Sequence, residues 1–315
     1  MLELLAIHPA VAELGQFLIL GLVLGSLYAL IAIGYTMVYG IIELINFAHG
    51  DLFMLGSFLA LGVAIGLGVL TADAGVAWII LTIGLMLIAT PLFCACLNVT
   101  VDRVIYRPLR KSPKLTVIVS AIGVSFIFMN IGLFWRGATP VKFPDLIADT
   151  NLIEGTGFRF TWKDAMVVGI TVPAMIALTV LVKFTTLGKA MRATAQNPLA
   201  AQLMGINVNR VISATFAIGG ALAGIASVVY GLYIKSVDYQ MGFQNGLYAF
   251  TAAVLGGVGN IPGAVLGGLV IGVVGELGKA YLGAKWSEAL IFGILIIILL
   301  FRPTGLLGAR TREKV

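Results

Sequence analysis

Polarity along this chain comes in blocks. Charge-free runs occupy Leu14–Ile42, Leu52–Ala72, Ala74–Val101, Leu115–Trp135, Ala165–Val182, Val211–Ile234 and Tyr239–Gly275, with a shorter one at Ala289–Phe301. A helix needs about 20 apolar residues to cross about 30 Å of hydrocarbon. Each run therefore predicts a membrane helix, the last lengthened by the turn before it. Tyr239–Gly275 would reach about 55 Å as one helix at about 1.5 Å per residue. Gly256, Gly257, Gly259, Pro262 and Gly263 crowd its middle, and Gly and Pro at that density break a helix. Two elements are expected there, roughly 243–257 and 262–282, joined by a tight turn or an intramembrane break. The expected fold is all-α: one polytopic helical membrane domain over 1–315, with about eight to ten membrane helices, some broken or re-entrant.

One polar run interrupts the N-terminal apolar block: Asn46-Phe47-Ala48-His49-Gly50-Asp51. Polar and ionisable groups are expensive in hydrocarbon and tend to mark a pathway. Asn46, His49 and Asp51, with Tyr39 just upstream, are therefore candidates to line or gate a path near a broken helix. The competing expectation is that Asn46 and Asp51 cap helix ends. Small residues recur every four positions at Gly21 and Gly25, at Gly220 and Gly224, and at Ala264, Gly268 and Gly272. In lipid this spacing lets helix backbones pack closely. Cys94 and Cys96 lie one residue apart inside an apolar run, where packing is the expected role.

Composition agrees with a membrane protein. Mean hydropathy is +1.05 and 11% of residues are charged, against roughly 25% in soluble domains. The net charge of +6 does not point to nucleic acid, because the basic residues sit in short segments between apolar blocks. Arg103, Arg107, Arg110, Lys111 and Lys114 face one acid in Asp102–Lys114. Lys183, Lys189, Arg192 and Arg210 face none, and the tail holds Arg302, Arg310, Arg312 and Lys314 against Glu313. These segments are expected on the cytoplasmic side, beside anionic lipid, with the C-terminus inside. Arg136–Asp164 is charge-balanced and fits the outer face. The first residues carry Glu3 and Glu13 and no basic residue, which favours outside and predicts no cleavable signal peptide.

Several chemistries are excluded by spacing. The nearest approach to a phosphate-binding loop, Leu187-Gly188-Lys189-Ala190, lacks the Ser or Thr for magnesium, and position 183 is Lys rather than Gly. His8 and His49 cannot make a zinc site alone. No enzyme, metal site or cofactor is expected. The Lys183–Arg210 segment is more informative. Pro198 suits the first turn of a short helix capped by Asn197, and Gly205 suits its stop. Leu199–Met204 is small and apolar apart from Gln202. Such a helix either lies on the membrane surface or docks into a soluble partner.

Five stretches, Gly25–Gly40, Ile45–Asp51, Val104–Arg110, Leu187–Asn207 and Phe250–Gly263, resemble the LivH-type permease subunits of bacterial branched-chain amino acid ABC importers. The resemblance covers nearly the whole length. It departs from the broader ABC-permease pattern at Ala193-Thr194-Ala195-Gln196, where a Glu commonly stands. It implies a coupling helix within about 184–210, with Ala195, Asn197, Pro198, Leu199, Leu203, Gly205 and Ile206 against an ATPase. It also implies a heterodimeric LivM-type second permease, two ATPase subunits and a periplasmic or lipid-anchored substrate-binding protein. The implied activity is import of leucine, isoleucine and valine across the bacterial inner membrane by alternating access. Related subunits that carry urea or short-chain amides supply an alternative cargo. A transporter or channel working alone would need more inward carboxylates than Asp51 and Glu276.

Overall fold

The computed structural model describes residues 9–42, 46–71, 75–110, 112–154, 157–302 and 304–308. The charges read above at Glu3, Lys111, Arg310, Arg312, Glu313 and Lys314, and His8, lie outside the described residues. The chain forms α1 (Pro9–Ile42), α2 (Ala48–Gly66), α3 (Val76–Val101), α4 (Lys114–Arg136), α5 (Trp162–Phe184), α6 (Thr186–Gln196) and α7 (Pro198–Leu203). It continues through α8 (Val208–Ile234), α9 (Met241–Gly256), α10 (Ile261–Leu282) and α11 (Ala284–Phe301). Eight of these helices are long and apolar enough to cross a membrane; α9, at 16 residues, is shorter. A small ribbon, β1 (Val141–Lys142) antiparallel to β2 (Ser236–Val237), marks one end of the bundle. Helices α6 and α7 mark the other.

Two segments expected as loops are helical. α3 runs on through a π turn at Asp102–Tyr106 to Leu109, and α6 occupies most of the stretch before Asn197. Charge ended the sequence-based helix too early. Long basic side chains leave a helix free to continue past the membrane while their heads reach water. In α6 the buried positions Gly188, Met191 and Thr194 recur every three residues, the spacing of one helix face.

The largest helix contact joins α1 to α10, and it is made by the small residues singled out above. A Cβ at Gly21 would stand 2.7 Å from Val273 Cα, and one at Gly25 would stand 2.7 Å from Leu269 Cα. The same device seats α8 on α3, where a Cβ at Gly224 would stand 2.7 Å from Pro91 N. The turn between α9 and α10 is held from outside its own sequence. Leu306 and Leu307 N–H groups donate to the Leu255 and Gly256 carbonyls at 2.8 and 3.0 Å. They satisfy carbonyls that the end of α9 leaves without helical partners.

At the ribbon end, Lys163, 3% exposed, joins Asp145 and Asp149 at 2.7 and 2.8 Å. Lys235 joins the same two carboxylates at 2.7 Å each. Burial pushes the Asp145 carboxyl up, but hydrogen bonds from Lys163 and Lys235 outweigh it and hold it below the usual range. The same two lysines hold Asp149 low. Burial pulls the Lys235 amine down, and the two aspartates more than restore it, so its pKa is raised. The carboxylate contribution is present above about pH 4 and lost as pH falls through the depressed values. The amine contribution is present below about pH 10 and lost as pH rises through the raised value.

The loop between α4 and α5 is therefore expected to resist proteolysis evenly from about pH 5 to about pH 9. Lys163→Met should open it, raising the trypsin cleavage rate at Arg159 several-fold; an unchanged rate would mean that the ion cluster does not hold the loop. Gly272→Val should cost more than about 1–3 kcal/mol by overpacking and lower the detergent melting point. Gly84→Val, which meets no atom within 4 Å, is the neutral control, and equal melting points would remove the α1–α10 contact from the stability argument.

Candidate functional site

Helix α2 begins inside the bundle. Asn46, Ala48, His49, Asp51 and Leu52 are all buried. The residue preceding the helix, Phe47, makes no side-chain cap bond. The capping expectation for Asn46 and Asp51 is therefore corrected: their side chains reach other helices. Asn46 Nδ2 donates to Asn98 Oδ1 at 3.2 Å, and the Tyr106 hydroxyl donates to Asn46 Oδ1 at 3.0 Å. Asn98 Nδ2 donates on to the Phe216 carbonyl at 2.7 Å. A polar chain thus ties the start of α2 to α3, to its π turn and to α8.

His49 packs edge-on to Tyr35 with ring centroids 4.7 Å apart, and a side chain at Gly34 would collide with its ring. Asp51 lies two residues further along. Its Oδ2 accepts from the Ser125 hydroxyl of α4. Its Oδ1 is buried and has no hydrogen-bond partner among the described residues. Gly50 and Gly242 allow α2 and α9 to touch here, for a Cβ at Gly242 would stand 2.8 Å from Asp51 Cα. Tyr39 is not brought into this group; it lines a small gap with Tyr35, Phe250 and Val258.

A second polar group lies toward the α6–α7 end. Asp102, fully buried in the π turn, pairs with Arg110 at 2.6 Å. It also accepts from the Ser213 hydroxyl of α8. Arg110 donates to Asn209 Oδ1 at 2.7 Å. The π turn therefore carries Asp102 on the α8 side and Tyr106 toward Asn46.

α7 is set just outside this latch. Asn197 caps it by accepting from Ala200 N at 3.0 Å, and Pro198 starts its first turn. Gly205 stands beyond its end at φ +83°, a backbone conformation that favours glycine. Leu199, Leu203 and Met204 are 67, 82 and 83% exposed. Between α7 and the ends of α1 and α3 lies a cavity of about 800 Å³ lined by Ala195, Pro198, Gln202, Ile42, Tyr106 and Arg110. Ile206 closes α7 back onto itself, its N–H donating to the Ala201 carbonyl at 3.0 Å.

The break residues divide by role. Gly256 ends α9, and Gly257 and Gly259 take positive φ values of +105° and +87° in the turn. Pro262 lies in the first turn of α10, and Gly263 N donates to the cap Asn260 at 3.1 Å. Sequence reasoning missed Asn98, Tyr106, Ser125 and Asp102 as site residues. A signal was present for one of them: Asn98 is the single carboxamide in the Ala74–Val101 run.

The comparisons with known proteins agree with one another. Residues 17–300 match the family model described as branched-chain amino acid transport system / permease component. The chain is 40% identical to the high-affinity branched-chain amino acid transport system permease protein LivH of Escherichia coli (strain K12). That match covers 94% of this chain and 96% of the relative. It is 41% identical to LivH of Salmonella typhimurium over the same shares. It is 40% identical to BraD of Pseudomonas aeruginosa over 98% of this chain and all of that relative. No solved structure matches. With the match spanning nearly the whole membrane bundle, the chain belongs to the family of branched-chain amino acid transport permease components.

Proposed function

We propose that this chain is a permease subunit of an ATP-driven importer that carries leucine, isoleucine and valine across a bacterial inner membrane. It acts as one transmembrane domain beside a second, LivM-type permease. Two ATPase subunits dock on one face, and a periplasmic or lipid-anchored binding protein delivers cargo to the other. The similarity to LivH and BraD, both branched-chain amino acid transport permeases, supports the cargo. The α7 surface carries the reading of the machine. Exposed Leu199 and Leu203 on one short, capped helix, with exposed Met204 just past its end, suit a groove on a soluble partner.

Charge supports the orientation. Arg103, Arg107, Arg110 and Lys114 flank one side of the α6–α7 end, Lys183, Lys189, Arg192 and Arg210 flank the other, and Arg302 joins them. Asp102 is the acid set among them. The ribbon end holds Asp145, Asp149, Glu154, Asp164 and Asp238 among its bases. On the positive-inside rule the α6–α7 end and the C-terminus face the cytoplasm.

In this mechanism ATP binding closes the two ATPases and displaces α7. The displacement passes to α8 and through Ser213 and Asn209 to Asp102 and Arg110. The π turn then carries it through Tyr106 to Asn46 and the start of α2, where Asn46, His49 and Asp51 shape the gate. Hydrolysis resets the assembly. Such coupling requires the ATPases to bind one permease conformation more tightly than the other.

Leu203→Asp and Gly205→Val are each expected to reduce ATPase co-purification at least ten-fold with normal membrane insertion. Wild-type co-purification in both would overturn the docking role of α7. The assembled importer in proteoliposomes should take up labelled leucine only with ATP, in competition with isoleucine and valine but not urea or acetamide. Uptake of urea or amide instead would keep the machine and change the cargo; leucine uptake without the ATPases would end the reading.

A further inference from the structure

One cavity in the membrane region is left unused by the coupling path. It measures about 500 Å³, inside the range of roughly 300–1,000 Å³ for small-molecule sites. Gln240, Gln244 and Tyr248 line it from successive turns at the start of α9, with Glu288 from α11 and Ser125 from α4. Phe126, Met129, Phe243 and Phe292 form its apolar wall.

The polar wall is arranged around a carboxylate. Gln244 Nε2 and the Tyr248 hydroxyl donate to the same Glu288 oxygen at 2.8 and 3.0 Å. No Lys or Arg pairs with Glu288 among the described residues. Glu288 is an exposed carboxylate near the start of α11 that lines the cavity, and with two neutral donors on one oxygen its charge is open to a cation. Behind the opposite wall, Ser125 donates to the buried Asp51. Asp51 has one oxygen with no hydrogen-bond partner among the described residues. The surroundings are thus short of one cation and rich in amide donors and aromatic surface.

We propose that this cavity is the membrane-stage binding site for a zwitterionic amino acid with an apolar side chain. Glu288 receives the ammonium group, the second N–H of Gln240, whose first is donated to the Tyr239 hydroxyl, receives the carboxylate, and the wall of Phe126, Phe243 and Phe292 receives the side chain. The assignment rests on the importer reading and adds to it where the cargo sits. A neutral cargo such as urea has no need of the Glu288 charge. Partial satisfaction of Glu288 by neutral donors keeps the site weak enough to release its cargo, as conduction through a path requires.

The test uses the purified importer complex with Met129→Cys as a reporter in a Cys96→Ser background, Cys94 being buried. Millimolar leucine is expected to slow maleimide labelling at least three-fold, and 4-methylpentanoate, which is leucine without its amine, is expected not to. Glu288→Gln, which still accepts both hydrogen bonds, should abolish leucine protection and lower leucine uptake at least ten-fold, and Glu288→Asp should restore most of both. Equal protection by the two compounds, or wild-type protection in Glu288→Gln, would overturn ammonium recognition. Leucine uptake without any protection would remove the site and leave the importer reading intact. Failure of the wild-type complex to take up leucine would overturn the importer reading, and the labelling arm then decides the site by itself.

Discussion

The close approach of α1 and α10 is the constraint on which the other placements depend. Lipid offers no hydrophobic drive to bring two apolar helices together, so association rests on packing. Here the backbones themselves meet, with Gly21 and Gly25 against Gly268, Leu269, Gly272 and Val273. That seam fixes the lengthwise register of the two helices. At its far end Gly40 meets the turn residue Gly259, where an added Cβ would stand 3.1 Å away. Midway, α1 presents Tyr35 to His49. A slip of one helical turn, about 5.4 Å, would separate the α9–α10 turn from α1 and the aromatic pair from each other.

A second constraint follows from starting a helix inside a membrane protein. The first turn of α2 has N–H groups without helical partners and the positive end of a helix dipole. Asp51 in that turn is placed where an anion is favoured. The Asn46 amide has no water to turn to, and an unsatisfied amide is costly in an apolar medium. Asn98 and Tyr106 satisfy it, and Asn98 in turn donates to the Phe216 carbonyl. The solution binds three helices to one point, so the polar group that is costly to bury also determines where α2 begins.

Much of the fold was legible in the polarity pattern, and for a physical reason. Hydrocarbon admits few structures, so length and charge alone locate spans. The breaker residues in Tyr239–Gly275 and the cap and stop around Pro198 were legible because glycine, proline and a capping asparagine act locally. The extension of α3 to Leu109 was not, because solvent-facing charge is compatible with either a loop or a helix. The destinations of Asn46 and Asp51 were also hidden. Their partners lie 52 and 74 residues away in sequence, and nothing local distinguishes a cap from a long-range contact. Ser125 gave no signal for the same reason: a serine hydroxyl inside a helix bonds its own backbone as readily as a distant side chain. Tyr106 gave none because an aromatic ring packs on apolar surface whether or not its hydroxyl has a distant partner.

The strand of chain after α11 gives the bundle a mechanical property. Residues 304–308 leave α11, lie across the end of α9 and meet the cap of α10, where Asn260 Nδ2 donates to the Leu307 carbonyl at 2.7 Å. Three helices that enter this region from different directions are thereby splinted at one end. At the other end, Ser287 of α11 donates to the Gly275 carbonyl of α10 at 2.9 Å. Helices α9, α10 and α11 are tied to one another near both ends, so they form a lever rather than three separate rods. Any tilt imposed on one of them must be shared by all.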